Sequence, residues 1–153
     1  MITKPIPYGR QHITDEDIQC VIDALKSDYL TQGPKIKEFE EAFASYVGCK
    51  YAIAVNNATA ALHLAATALD VNPGDKVIVT PLTFAASANC IRYRGGEVVF
   101  CDVEEDTYLM DIKKLSRLLS QSPKGTYKGI VLVDFAGYPA NLESILKDSS
   151  QLA

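Results

Sequence analysis

No stretch of this 153-residue sequence stays apolar for the roughly 18–20 residues that a membrane-spanning helix needs. Basic residues do not dominate: 15 Lys and Arg against 19 Asp and Glu leave a formal net charge of −4. With no basic run, nucleic acid is not expected as a partner. The opening MITKPIPYGRQ lacks an apolar signal core, so secretion is not expected either. Cysteines at positions 20, 49, 90 and 101 form no CxxC and no zinc spacing. They read as free thiols of a reducing cytoplasm. A GKT or GKS phosphate loop is missing, and so is a GxGxxG dinucleotide fingerprint. Only two histidines are present. His63, inside ALHLA, reads as a packed core residue, and His12 as a surface or substrate-facing one. No repeat, low-complexity tract or linker interrupts the chain.

What is present is an ordinary globular balance, 48% hydrophobic and 22% charged, at a length that suits one domain. Thr14 with Asp17 three residues on signals the start of a helix over about 14–27. Ile18, Val21, Ile22 and Leu25 fall on one face of it. DYLTQGP breaks it. A second helix begins at Pro34, where proline suits the first turn, and runs to about 47, with Gly48 as its stop. Ile36, Phe39, Phe43, Tyr46 and Val47 form its stripe. Both helices are amphipathic, so each is expected to lie on another surface.

Beyond them, short apolar runs alternate with helical patterns. Strands are expected at 51–55 (YAIAV), 76–80 (KVIVT), 97–103 (EVVFCDV) and 127–135 (YKGIVLVDF). Helices are expected at 58–69, 84–94, 111–120 with Asp111 as cap, and 141–148 with Asn141 as cap. Strands that do not alternate, each followed by a helix, imply a mostly parallel sheet with helices on both faces, an α/β fold. Ligands of such sheets bind at the carboxyl ends of the strands. Those ends carry NNATA, PLTFAAS, CDVEED and DFAGYPA, polar and small where the strands are apolar.

The stretch VNNATAALHLAATALD joins an apolar run to a helix with almost nothing polar in it. The start of that helix offers unbonded N–H groups and the positive end of its dipole. Ala58 and Ala60 are small enough to let an anion reach the backbone, and the Thr59 hydroxyl adds a donor. Such a start suits a phosphate. Asn57 as the ordinary cap of a buried core helix is the plain alternative, and this motif alone does not separate the two. Phe84, at the next strand end, either stacks on a flat heteroaromatic ligand or begins a helix as a core residue.

The combination is more specific than its parts. The run from YGRQHITDEDIQ through VNNATAALHLA resembles the opening of the DegT/DnrJ/EryC1/StrS sugar-nucleotide aminotransferases. TPLTFAASANCIRYRGGEVVFCDVEEDTYLMD and VLVDFAGYPANLESI continue the likeness in order. SDYLTQGP and TFAASANCIRY resemble most the branch of pseudaminic acid synthesis, which aminates C4 of a UDP-linked 4-keto-6-deoxy-N-acetylhexosamine.

The resemblance implies the N-terminal part, residues 1–153, of the large domain of a fold-type-I enzyme that uses pyridoxal 5′-phosphate (PLP). The C-terminal part and the small domain are expected to be absent. Ala58 and Thr59 would hold the cofactor phosphate, Phe84 would stack on its ring, and Asp134 would lie near it. Tyr8, Thr31 and Gln32 would stand by the entrance, toward the substrate or a neighbouring subunit. Glutamate would be the amino donor, and the full-length enzyme a cytoplasmic homodimer feeding polysaccharide or flagellin glycosylation. The lysine that carries the cofactor as a Schiff base, and the aspartate at its ring nitrogen, are expected beyond Ala153. These residues alone would therefore be inactive. In the family the four strands would be one edge strand, a pair at the other side and one in the middle, with later strands filling the gaps. A lysine-less sugar-nucleotide dehydratase, and a non-catalytic truncated protein that binds a phosphate ligand, are the alternatives.

Overall fold

The structure, a computed structural model, describes residues 7, 9–148 and 152, apart from the side chain of Asp148. The chain divides between Ala54 and Val55 into two compact units.

The first unit carries α1 (Asp15–Leu25) and α2 (Pro34–Val47). Thr14 and Asp17 form the reciprocal capping box that their spacing predicts. Pro34 opens α2, and Gly48 closes it at φ 72°, a left-handed conformation that costs glycine nothing. The amphipathic stripes, expected to lie on another surface, instead stand open. No residue of α1 is buried, and α2 buries only Ala44. Residues 51–55 form no strand. Tyr51 and Ile53 are 75% and 79% exposed, and the Ala54 N–H donates to Glu40 Oε1 at 2.8 Å. An apolar run becomes a strand only where another strand pairs with it, and none does so among the described residues.

The second unit is a three-stranded parallel sheet between two helical layers. Its elements in order are α3 (Ala58–Ala68), β1 (Lys76–Val79), α4 (Ala86–Tyr93), β2 (Glu97–Phe100), α5 (Ile112–Ser120), β3 (Tyr127–Val131) and α6 (Leu142–Asp148). A 3-10 turn at Phe135–Gly137 precedes α6. The strand order is β2-β1-β3, all parallel. The three strands are therefore contiguous, with no gap between the central strand and its neighbours. The strands expected at 97–103 and 127–135 are shorter than their apolar runs, because pairing ends with β1 at Val79.

Strand alternation assigns the two cores. Ile78 packs with Cys101, Met110, Leu115, Leu119, Tyr127 and Ile145 under α5 and α6. Val77 and Val79 pack on the other face with Ala66, Val71, Cys90 and Ile91, under α3 and α4. This explains why Val77, Ile78 and Val79 follow Lys76 without a polar residue among them: both faces of the strand are covered there. Asp111 caps α5 through Oδ1, which accepts from the N–H groups of Lys113 and Lys114 at 2.9 and 3.1 Å. Asn141 caps α6 by accepting from the Ser144 N–H at 3.1 Å.

The end of α3 comes down on Gly129 of β3. A Cβ there would stand 2.7 Å from Leu69 Cδ2, the mobile end of a 43% exposed side chain, so the leucine lies close over this glycine. Gly129 lies early in its strand, whereas Leu62, two turns back along α3, and Val131, further along the strand, pack against the same buried cluster. The helix thus runs antiparallel to β3, and its first turn points toward the carboxyl edge of the sheet. It is less buried than its composition predicts: only Ala66 is buried, and Leu64 is 51% exposed. His63, expected in the core, is exposed, with its ring 5.5 Å from that of Tyr93.

Candidate functional site

The carboxyl edge of the sheet gathers the start of α3 and the loops after β1, β2 and β3. At the start of α3, Asn57 is extended, and its Oδ1 accepts from the Ala60 N–H at 2.8 Å. The Asn57 carbonyl accepts from the Ala61 N–H at 3.2 Å. The cap thus satisfies Ala60, while the N–H groups of Ala58 and Thr59 have no carbonyl one turn behind them. Ala58 is exposed and Thr59 half-buried. This turn thus offers two N–H donors and the positive end of the helix dipole, with the Thr59 hydroxyl on the same turn.

After β1, Thr80 is buried, and its Oγ1 accepts from the Leu82 N–H at 3.3 Å. Thr83 and Ser87 share a hydroxyl hydrogen bond of 2.8 Å. These bonds fix the turn into α4 and leave Phe84 outside it, 78% exposed. The core alternative for Phe84 is thereby set aside. A phenyl ring this bare is available to a flat ligand. Helix α4 starts two residues later than the pattern 84–94 predicts, because the Ser87 N–H bonds to the Phe84 carbonyl in a tight turn.

After β2, Lys114 reaches back from α5 to Asp102, Nζ to Oδ2 at 2.8 Å, and lies 3.8 Å from Asp111 Oδ2. The Lys114 bond, followed by the Val103 N–H bond, holds the Asp102 carboxyl below its ordinary range. Cys101 beside it is buried, and burial, with Asp111 and Asp102 nearby, pushes its thiol up to about 11. After β3, Asp134 is exposed, and its Oδ1 accepts from the Ala140 N–H at 2.9 Å. The ring of Phe135 lies 5.6 Å from that of Tyr108 in the loop after β2.

Ala58, Thr59, Phe84 and Asp134 thus belong to one sheet edge in the second unit. Thr31 and Gln32 lie in the first unit, in the connection between α1 and α2; both are exposed, and Gln32 is left-handed at φ 53°. Tyr8 lies outside the described residues. The link between Tyr108 and Phe135 carries no signal in the sequence, because Tyr108 takes a left-handed φ of 58° that tyrosine rarely adopts. Among the described residues no cluster of three His, Cys, Asp or Glu could hold a metal ion, and no helix is long and apolar enough to cross a membrane.

Residues 11–152 match the DegT/DnrJ/EryC1/StrS aminotransferase family. The chain belongs to this family. Within it, the chain is 42% identical over 141 residues to a spore coat polysaccharide biosynthesis protein of Bacillus subtilis, covering 92% of this chain and 35% of that one. It is 43% identical over 141 residues to the UDP-4-amino-4,6-dideoxy-N-acetyl-beta-L-altrosamine transaminase of Campylobacter jejuni, covering 92% of this chain and 36% of that one. A candidate sugar aminotransferase of Streptococcus pneumoniae, solved in its PLP-form, superposes with a TM-score of 0.83 at 34% identity. That likeness covers 94% of this chain and 36% of the other. The chain therefore spans about a third of the length of the family members it matches.

Proposed function

We propose that this chain is the phosphate- and ring-binding portion of a PLP-dependent sugar-nucleotide aminotransferase. Its substrate would be a UDP-linked 4-keto-6-deoxy-N-acetylhexosamine, aminated at C4, with glutamate as donor. The observation that carries the reading is the bare ring of Phe84, on the sheet edge to which the open first turn of α3 points. Family membership and the likeness to a sugar aminotransferase in its PLP-form support it. The name of the Campylobacter relative supports the sugar.

When bound, pyridoxal phosphate supplies the electron sink through which nitrogen passes between an amino acid and a keto sugar. Ala58 and Thr59 would bind its phosphate through their N–H groups and the Thr59 hydroxyl. Asn57 orients that turn by holding Ala60. Phe84 would cover one face of the ring and keep water from it, and Asp134 would stand beside it. Thr31, Gln32 and Tyr8 are proposed toward the sugar or a second subunit of a cytoplasmic homodimer. No lysine here stands in a motif matching the family's cofactor-carrying position, so these 153 residues alone are proposed to bind and not to turn over.

The test is titration of the 153-residue chain with PLP, followed by the cofactor's absorbance and fluorescence. Thr59→Ala and Phe84→Ala should each weaken binding about fivefold to tenfold, the scale of one hydrogen bond or one ring contact. Unaltered affinity in both variants, or no binding by the parent chain, would remove the reading.

A further inference from the structure

The loop after β3 is tied at its neck by one side chain. Asp134 Oδ1 accepts from the Ala140 N–H at 2.9 Å, and the Asp134 carbonyl accepts from the Gly137 N–H at 3.0 Å. Inside the loop the Tyr138 N–H bonds to the Phe135 carbonyl at 3.0 Å. Ala136 is held at φ 53° and Gly137 at φ 80°. Alanine enters the left-handed region only at a cost, so bonds around it must hold it there. The result is a fixed place for Phe135, whose ring meets Tyr108. The loops after β2 and β3, which flank the central strand on either side, are joined through that ring pair.

We propose that Asp134 is a positioning residue. It acts as a hydrogen-bond acceptor, not as a charge, closing the loop 134–140 and so setting Phe135 against Tyr108 at the carboxyl edge. Among the described residues Asp134 has no cationic partner, and its carboxylate is exposed, so the charge is solvated and contributes little. What the geometry uses is one oxygen aimed at one N–H. The amide oxygen of asparagine supplies the same acceptor. Only the purpose of the closure, shaping one wall of a cofactor site, rests on the function proposed above.

The experiment is amide hydrogen exchange, read residue by residue by NMR on the full 153-residue chain, for the parent, Asp134→Asn and Asp134→Ala. Val77, Ile78 and Val79 in β1 report whether the fold is kept. In Asp134→Ala the Ala140 amide should exchange about tenfold faster, the scale of one lost hydrogen bond, and Gly137 should follow it. In Asp134→Asn both should stay within about threefold of the parent. Unchanged exchange at Ala140 in Asp134→Ala would overturn the proposal. So would an Asp134→Asn chain as fast as the alanine variant, because charge would then be the property that matters. If Asp134→Ala loses protection in β1, the asparagine variant decides by the same threefold limit. Failure of the parent chain to bind PLP would end the proposed function and leave this exchange result standing.

Discussion

Asn57 has two duties that substitution can separate. It caps α3 through the Ala60 N–H, and it stands at the turn proposed to receive a phosphate. Asn57→Ala removes the cap and should lower stability by about 1 kcal/mol, measured by urea unfolding. Asn57→Asp keeps an acceptor and places a negative charge at the positive end of the helix, so stability should hold or rise slightly. The same charge repels a phosphate, so PLP affinity should fall. A variant that is stable yet binds more weakly distinguishes a phosphate site from a plain cap; equal affinity would favour the cap alone. Cys101 gives a second prediction at this scale. Its folded thiol titrates near 11, above the ordinary value of 9, chiefly through burial. Between those values the unfolded chain has released the proton and the folded chain has not. The stability this thiol contributes is therefore complete below pH about 9 and lost as pH rises toward 11. Cys101→Ala should flatten that part of the stability–pH curve. In the folded chain near neutral pH, Cys20 and Cys49, both exposed, should react with a thiol reagent well before Cys90 and Cys101, both buried.

Among elements, the contact between α3 and β3 depends on a missing methyl. Gly129→Ala would bring a Cβ within 2.7 Å of Leu69 Cδ2, and the leucine must shift to admit it. Because the atom met is the mobile tip of a partly exposed leucine, a loss of only about 1 kcal/mol or less is expected in urea unfolding. The pair should couple: in the background of Leu69→Ala, the glycine substitution should cost far less. The same contact shows what a sequence can and cannot reveal. Helix ends were legible because their signals are local, and Thr14, Pro34, Asn57, Asp111 and Asn141 all stand where their residue types place them. The strand KVIV was legible as doubly covered because Val77, Ile78 and Val79 run on with nothing polar between them. YAIAV reads just as well as a strand and is not one, since a strand exists only with a partner and partners are not written in the run itself. Helix α3 reads as buried for a similar reason: an apolar surface says what would be covered, not what covers it. At the sheet edge, the start of α3 at Ala58 with Asn57 as its cap was legible from local signals, and the exposure of Phe84 settles one of the two readings its position allowed. The Asp134 bond to Ala140 was not legible, because an exposed aspartate six residues from a backbone N–H carries no pattern.

At the scale of the whole molecule, burial is divided unequally between the two units. The second contains Val77, Ile78, Val79, Ile91 and Leu115, all essentially inaccessible, in two cores on either face of one sheet. Among its described residues the first has only Ala44 buried, while Ile18, Val21, Phe39 and Phe43 are about half exposed or more. Local opening free energy follows buried apolar contact, so the two units should not share one protection level. The capping box of α1, and on α2 an i,i+3 pair such as Lys35 to Glu38 at 2.7 Å, stabilise these helices. Each contributes only tenths of a kcal/mol to about 1 kcal/mol, short of what helices of this length need in water without packing. Hydrogen–deuterium exchange followed by mass spectrometry should therefore show peptides from 15–47 exchanging early and peptides spanning 76–79 and 127–131 exchanging last. Phe39→Ser should leave the sheet peptides unchanged, because Phe39 contributes nothing to either core cluster around them. Equal, slow exchange across 15–47 and the sheet would mean that the stripes of α1 and α2 are covered in solution, and the assignment of stability to the second unit alone would fall.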